Sequence, residues 1–87
     1  MTHSIRVRVK YFASLRESLG VGPVDFETQA TTVGQLRAEL MALDAQHAES
    51  LGQGRAVRMA LNQVLCSESA PLSQGAEVAF FPPVTGG

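Results

Sequence analysis

Apolar and polar residues alternate along several short stretches of this chain and recur at helical spacing in one longer one. Ile5, Val7, Val9 and Tyr11 interleave with Arg6, Arg8 and Lys10, the period-two pattern of a strand with one buried face. Phe12 falls on the charged side of that strand and breaks its pattern. From Ala13 to Leu19 the spacing changes, with Leu15 and Leu19 four apart, which reads as about two helical turns. Gly20 supplies a C-terminal stop and Gly22-Pro23 a turn. Val24, Phe26 and Thr28 then alternate with Asp25 and Glu27, a second strand close enough to the first to pair with it antiparallel.

Thr32-Val33-Gly34-Gln35 has the form of a capping box, with Thr32 at the N-cap and Gln35 at the third helical position. Behind it Val33, Leu36, Leu40 and Leu43 recur on one helical stripe, with Arg37, Glu39 and Asp44 off it. This predicts the main helix, about three turns long, with a stripe that serves the core. Gln46 to Leu51 adds a short helical turn, ended by Gly52 and Gly54. Val57, Met59 and Leu61 alternate with Arg58 and Ala60, placing a third strand from about Arg55 to Leu61. Asn62-Gln63 turns it, although the favoured pair for such a turn is Asn-Gly. Val64-Leu65-Cys66 is a short fourth strand, 71–75 a loop and turn, and Glu77–Phe81 the last strand. In that strand Val78 and Phe80 point one way, and Glu77, Ala79 and Phe81 the other.

One long helix covers one face of such a sheet. The compact solution is an α+β fold, a mixed sheet curled around the main helix, with the apolar first and last strands adjacent in its middle. Val7, Val9, Val24, Phe26, Leu36, Leu40, Met59, Leu61, Val78 and Phe80 are the expected core. Residues 1–81 form the domain and residues 82–87 a mobile tail.

Composition narrows the function. The 87 residues make a single domain. A formal net charge of -1 gives no general attraction to nucleic acid or to an anionic membrane. Arg6, Arg8 and Lys10 share one strand face, which reads as a solvated surface. No apolar run is long enough to span a bilayer and no secretory leader opens the chain. The single cysteine, Cys66, excludes an internal disulfide, and with the other features places the chain in the reducing cytoplasm.

Conventional catalytic machinery is missing from the pattern. His3 and His47 are far apart, no Cys, His and Asp positions have metal-ligand spacing, and Gly20-Val21-Gly22 lacks the context of a phosphate loop. Cys66 sits in an apolar strand and reads as a small core residue. What remains is the end of the chain. Phe81 runs without a linker into Pro82-Pro83-Val84-Thr85-Gly86-Gly87. The prolines carry the chain out of the sheet. The reactive group of such an end is the Gly87 α-carboxylate.

Several segments together resemble a known family. Tyr11-Phe12-Ala13 with Leu15-Arg16-Glu17, Leu61-Asn62-Gln63, Pro71-Leu72, Gly75 and the whole stretch from Glu77 to Gly87 are similar to the small, sulfur-carrier subunit of molybdopterin synthase. The resemblance implies a β-grasp, ubiquitin-like fold and a carrier that is no enzyme on its own. It implies that Gly87 is adenylated by a separate activating enzyme using ATP. It is then converted to a thiocarboxylate with sulfur from a persulfide protein. The tail, Pro82, Pro83, Val84, Thr85 and Gly86, would thread into the large synthase subunit. There the sulfur goes to cyclic pyranopterin monophosphate. No cofactor or metal is expected on the chain itself. Strand parity places Phe12 and Phe81 on the face away from the helix, with Leu65 nearby, as a docking patch for that partner. A carrier for thiamine or tRNA thiolation, a ubiquitin-like modifier and a plain interaction domain would share much of this pattern.

Overall fold

The computed structural model describes residues 4–52 and 56–83. The elements run β1 (Ile5–Tyr11), α1 (Ala13–Leu19), β2 (Val24–Thr28), α2 (Val33–Met41), α3 (Ala45–Leu51), β3 (Arg58–Leu61), β4 (Val64–Cys66) and β5 (Glu77–Phe81). The strands form one mixed sheet in the order β2-β1-β5-β3-β4. β5 lies at the centre, parallel to β1 and antiparallel to β3. β2 and β4 are the edges, each antiparallel to the strand beside it.

The alternation in the sequence is the alternation of the sheet. Val7, Val9 and Tyr11 from β1, Met59 from β3, and Val78 and Phe80 from β5 are buried on the inner face. Against them pack Leu15 and Leu19 of α1, Val33, Leu36 and Leu40 of α2, and Leu51 of α3, all in one apolar cluster. Three helices therefore share the cover expected of one. Gly20 ends α1 in the left-handed conformation at φ 67°, with its N–H donating to the Arg16 carbonyl, the geometry that favours glycine after a helix.

Four expectations are corrected. Val24 is 38% exposed rather than core, because it opens an edge strand and has a sheet neighbour on one side only. Leu43 is 52% exposed, because α2 ends at Met41 and Asp44 caps a fresh helix, its side chain accepting from the His47 N–H. The third strand begins at Arg58; Gly54 and Arg55 lie outside the described residues. Arg37, expected off the buried stripe, is 5% exposed. Its Nε donates to the Leu51 carbonyl at 2.7 Å, its Nη2 to the Gly52 carbonyl at 2.8 Å, and its Nη1 to Glu68 Oε2 at 2.9 Å. One guanidinium thus satisfies carbonyls at the end of α3 that have no partner within a helix.

The capping box is shifted by one residue. Thr32 Oγ1 accepts from the Gln35 N–H at 3.2 Å, but Gln35 Oε1 reaches back to the Thr31 N–H at 2.8 Å. The next two N–H groups, of Val33 and Gly34, donate to the carbonyls of Ala70 and Glu68 at 3.0 and 2.8 Å. The loop after β4 is thereby strapped across the start of α2. Gly34 is needed there, since a Cβ would stand 2.8 Å from that of Glu68. No helix among the described residues is long and apolar enough to cross a membrane.

Candidate functional site

The outer face of the sheet is built in rows set by the strand register. Arg58 stands opposite Phe81, and Ala60 opposite Ala79. Ala60 also faces Leu65, and Ala79 faces Lys10. The parallel ladder continues one step past β1: the Phe12 N–H donates to the Phe80 carbonyl at 3.1 Å. That bond brings Phe12 level with Phe81. Ala13 follows at φ 53°, a conformation uncommon outside glycine, and turns the chain away into α1.

Phe12, Phe81 and Leu65 therefore lie on one face of the sheet. Phe12 is 47% exposed and Leu65 65% exposed, and Phe81 is half-buried. Phe12 and Phe81 are neighbours. Leu65 lies one row along and two strands from β5, about 9–10 Å across the sheet at the usual strand spacing. Lys10 closes the row of Leu65, Ala60 and Ala79, and from there on the face is charged and matched. Lys10 Nζ is 3.3 Å from Glu77 Oε1, and Arg8 Nε is 3.2 Å from Asp25 Oδ1. Arg6 faces Glu27 in register.

At the end of β5, Phe81 has Phe12 on one side and Arg58 on the other. β5 delivers Phe81 to this face and passes without a linker to Pro82 and Pro83, both half-buried. Val84, Thr85, Gly86 and Gly87 lie outside the described residues.

The other candidate groups of the body have structural tasks. His47 Nδ1 is 2.8 Å from Asp44 Oδ1, which also accepts the His47 N–H. That N–H first, and the ring second, hold the Asp44 carboxyl below its ordinary range. Tyr11 is buried between Phe80 and His47, with ring centroids 6.0 and 6.2 Å away. Burial, then the Asp44 charge, pushes its phenol up to about 12. Cys66 packs against the core, and burial pushes its thiol up as well, the opposite of what a nucleophilic thiol needs. Among the described residues no group of three His, Cys, Asp or Glu could hold a metal ion; His3 lies outside them.

Sequence reasoning missed Arg58 as a member of the patch. Parity puts it on the outer face, but parity does not say that β3 is the neighbour of β5.

The comparisons with known proteins agree with this geometry. The ThiS family model matches residues 9–87. The molybdopterin synthase sulfur carrier subunit of Escherichia coli is 41% identical over 81 residues, covering 93% of this chain and 99% of that protein. Among solved structures, the small archaeal modifier protein SAMP1 of Haloferax volcanii superposes with a TM-score of 0.75 at 27% identity, over 94% of this chain and 99% of that one. A complex of subunits 1 and 2 of molybdopterin-converting factor from Helicobacter pylori contains a chain matching with a TM-score of 0.63 at 27% identity, over 95% and 100% of the two chains. The fold is the ubiquitin-like β-grasp. With a match through nearly all of its length and a carrier subunit aligned almost end to end, this chain belongs to the ThiS family.

Proposed function

We propose that this protein is the sulfur-carrying small subunit of a molybdopterin synthase, with the sulfur held as a thiocarboxylate on Gly87. The observation that carries the reading is the position of the tail's root. The central strand ends at an apolar patch of Phe12, Phe81 and Leu65 and leads directly into Pro82-Pro83. A partner that docks on the patch receives the tail at a fixed place and direction. The relatives' names support the assignment, since they include a sulfur carrier subunit and a two-subunit converting factor.

The chemistry suits the residues. A carboxylate becomes an acyl donor once ATP converts it to an acyl-adenylate with loss of pyrophosphate, a step for a separate activating enzyme. The terminal sulfur of a persulfide protein attacks the adenylate and expels AMP, giving an acyl disulfide. A second thiol then cleaves its S–S bond, becoming part of a disulfide and releasing the thiocarboxylate. Its soft anionic sulfur then bonds to a carbon of the pyranopterin precursor inside the large subunit as an oxygen substituent leaves that carbon. Water cleaves the resulting thioester, leaving the sulfur on the pterin and the tail as carboxylate. Gly86 and Gly87 carry no Cβ and pass a narrow channel. Pro82 and Pro83 have few conformations to lose on threading. The reducing cytoplasm keeps such a sulfur unoxidised.

A ubiquitin-like modifier is the second reading, favoured by the likeness to an archaeal modifier protein. Intact mass decides between them. Protein incubated with activating enzyme, ATP and a sulfur source should gain one sulfur in place of one oxygen and then yield molybdopterin with the large subunit. Conjugates to lysines of other proteins, without that exchange, would establish the modifier instead.

A further inference from the structure

Arg58 differs from the other cations of the outer sheet face. Arg8 and Lys10 are paired with Asp25 and Glu77, and Arg6 has Glu27 opposite it. Arg58 is exposed and stands opposite Phe81. On its other side the β3–β4 ladder begins only at Met59, which faces Cys66. Its row holds Phe81 and Phe12, and the next row holds Ala60, Ala79 and Leu65, with Lys10, paired to Glu77, at its far end. It is a cation set among apolar residues at the root of the tail.

In the free protein water solvates this guanidinium. A partner that covers Phe12, Phe81 and Leu65 removes the water, and a desolvated cation without a counter-charge is strongly unfavourable. The geometry points to a partner whose docking surface is apolar and presents one carboxylate to Arg58. This rests on the docking role proposed above for the same face. The planar fork of arginine takes a carboxylate through two parallel hydrogen bonds and fixes its direction as well as its presence. Arg58 thus sets specificity: a surface of equal apolar area with a lysine or a leucine at that point is rejected.

Titration calorimetry with the purified large subunit tests this, using the full-length protein. Arg58→Glu should weaken association about thirtyfold or more, as expected when an interfacial charge pair is reversed. Arg58→Gln should weaken it less and flatten its dependence on salt. Arg6→Gln removes the same charge about 20 Å further along the sheet and should leave affinity within about twofold. Phe81→Ser separates the two levels of the argument. If it weakens binding while Arg58→Glu does not, the docking face stands and the inference about Arg58 falls. If neither changes binding, both fall. An Arg6→Gln loss equal to that of Arg58→Gln would show a general field rather than a local pair, and would also overturn it. Arginine replacing one carboxylate of the partner should restore binding of the Arg58→Glu protein; if no carboxylate does so, the pair does not exist. Unchanged unfolding midpoints confirm that each variant is folded.

Discussion

Tyr11 and Phe80 face each other across β1 and β5, with ring centroids 6.0 Å apart and planes 25° from parallel. Tyr11 is 4% exposed, and its phenol is raised from 10.0 to about 12. The folded state therefore resists ionisation that the unfolded chain undergoes near pH 10. The contribution is intact below pH 10 and is lost as the pH climbs towards 12, on the order of 2–3 kcal/mol in all. Tyr11 is the only tyrosine, so phenolate absorbance follows it alone. The native midpoint should lie well above that in denaturant; coincident midpoints would refute the buried phenol.

Arg37 should be irreplaceable by lysine. Its three donors reach Leu51, Gly52 and Glu68 in a fixed fork, and an ammonium on a shorter set of directions leaves at least one buried carbonyl without a donor. Arg37→Lys should destabilise the fold by about 1.5–3 kcal/mol in denaturant titration, the usual range for a hydrogen bond to a charged group. Glu68→Gln, whose side chain is 45% exposed, should lose less than about 1 kcal/mol.

The turn between β3 and β4 stores strain that a single substitution removes. Asn62 and Gln63 have φ of 51° and 71°, the left-handed pair of a two-residue hairpin turn. Asn62 is held there by β5, donating its N–H to the Glu77 carbonyl and accepting the Glu77 N–H on Oδ1, at 2.8 and 2.9 Å. Gln63 has no such tie among the described residues. Relief of roughly 1–2 kcal/mol of left-handed strain, less about 0.4–1 for the freer unfolded chain, leaves Gln63→Gly about 0.5–1 kcal/mol more stable. A lower thermal midpoint would show that the side chain makes a stabilising contact.

One alanine added after Gly87 should separate docking from chemistry. It moves the reactive carbon by up to about 3.6 Å, and a misplacement on the order of 1 Å can cost about a hundredfold in rate. The extended protein should unfold at the parent midpoint and bind the large subunit with parental affinity. It should fail in thiocarboxylate formation, in sulfur transfer, or in both. Parental activity of verified, uncleaved protein in both steps would remove Gly87 from the mechanism.

The limits of β1, α1, β2 and β5 were legible because strict alternation, an i, i+4 leucine pair and Gly20 each act locally. Stripe membership failed at the ends of elements. Leu43 continues the helical period, yet the helix has already stopped, because Asp44 caps a new one. Arg37 was misread because its partners are 14, 15 and 31 residues away, and periodicity carries no information on what lies across a helix. The shared face of Phe12 and Phe81 was legible through parity. Arg58 was not, since its meaning depends on strand order.

β5 is the last strand among the described residues and also the middle of the sheet. Without residues 77–81 the β2–β1 ribbon and the β3–β4 hairpin would be two pieces with open inner edges. Neither piece buries the apolar inner face alone, and such unpaired edges are what chaperones and proteases act on. Joining them requires long-range contacts with β1, which form late. A chain interrupted before β5 therefore has no finished face to show a partner. Closure of the sheet and placement of the Pro82-Pro83 arm thus depend on the same strand.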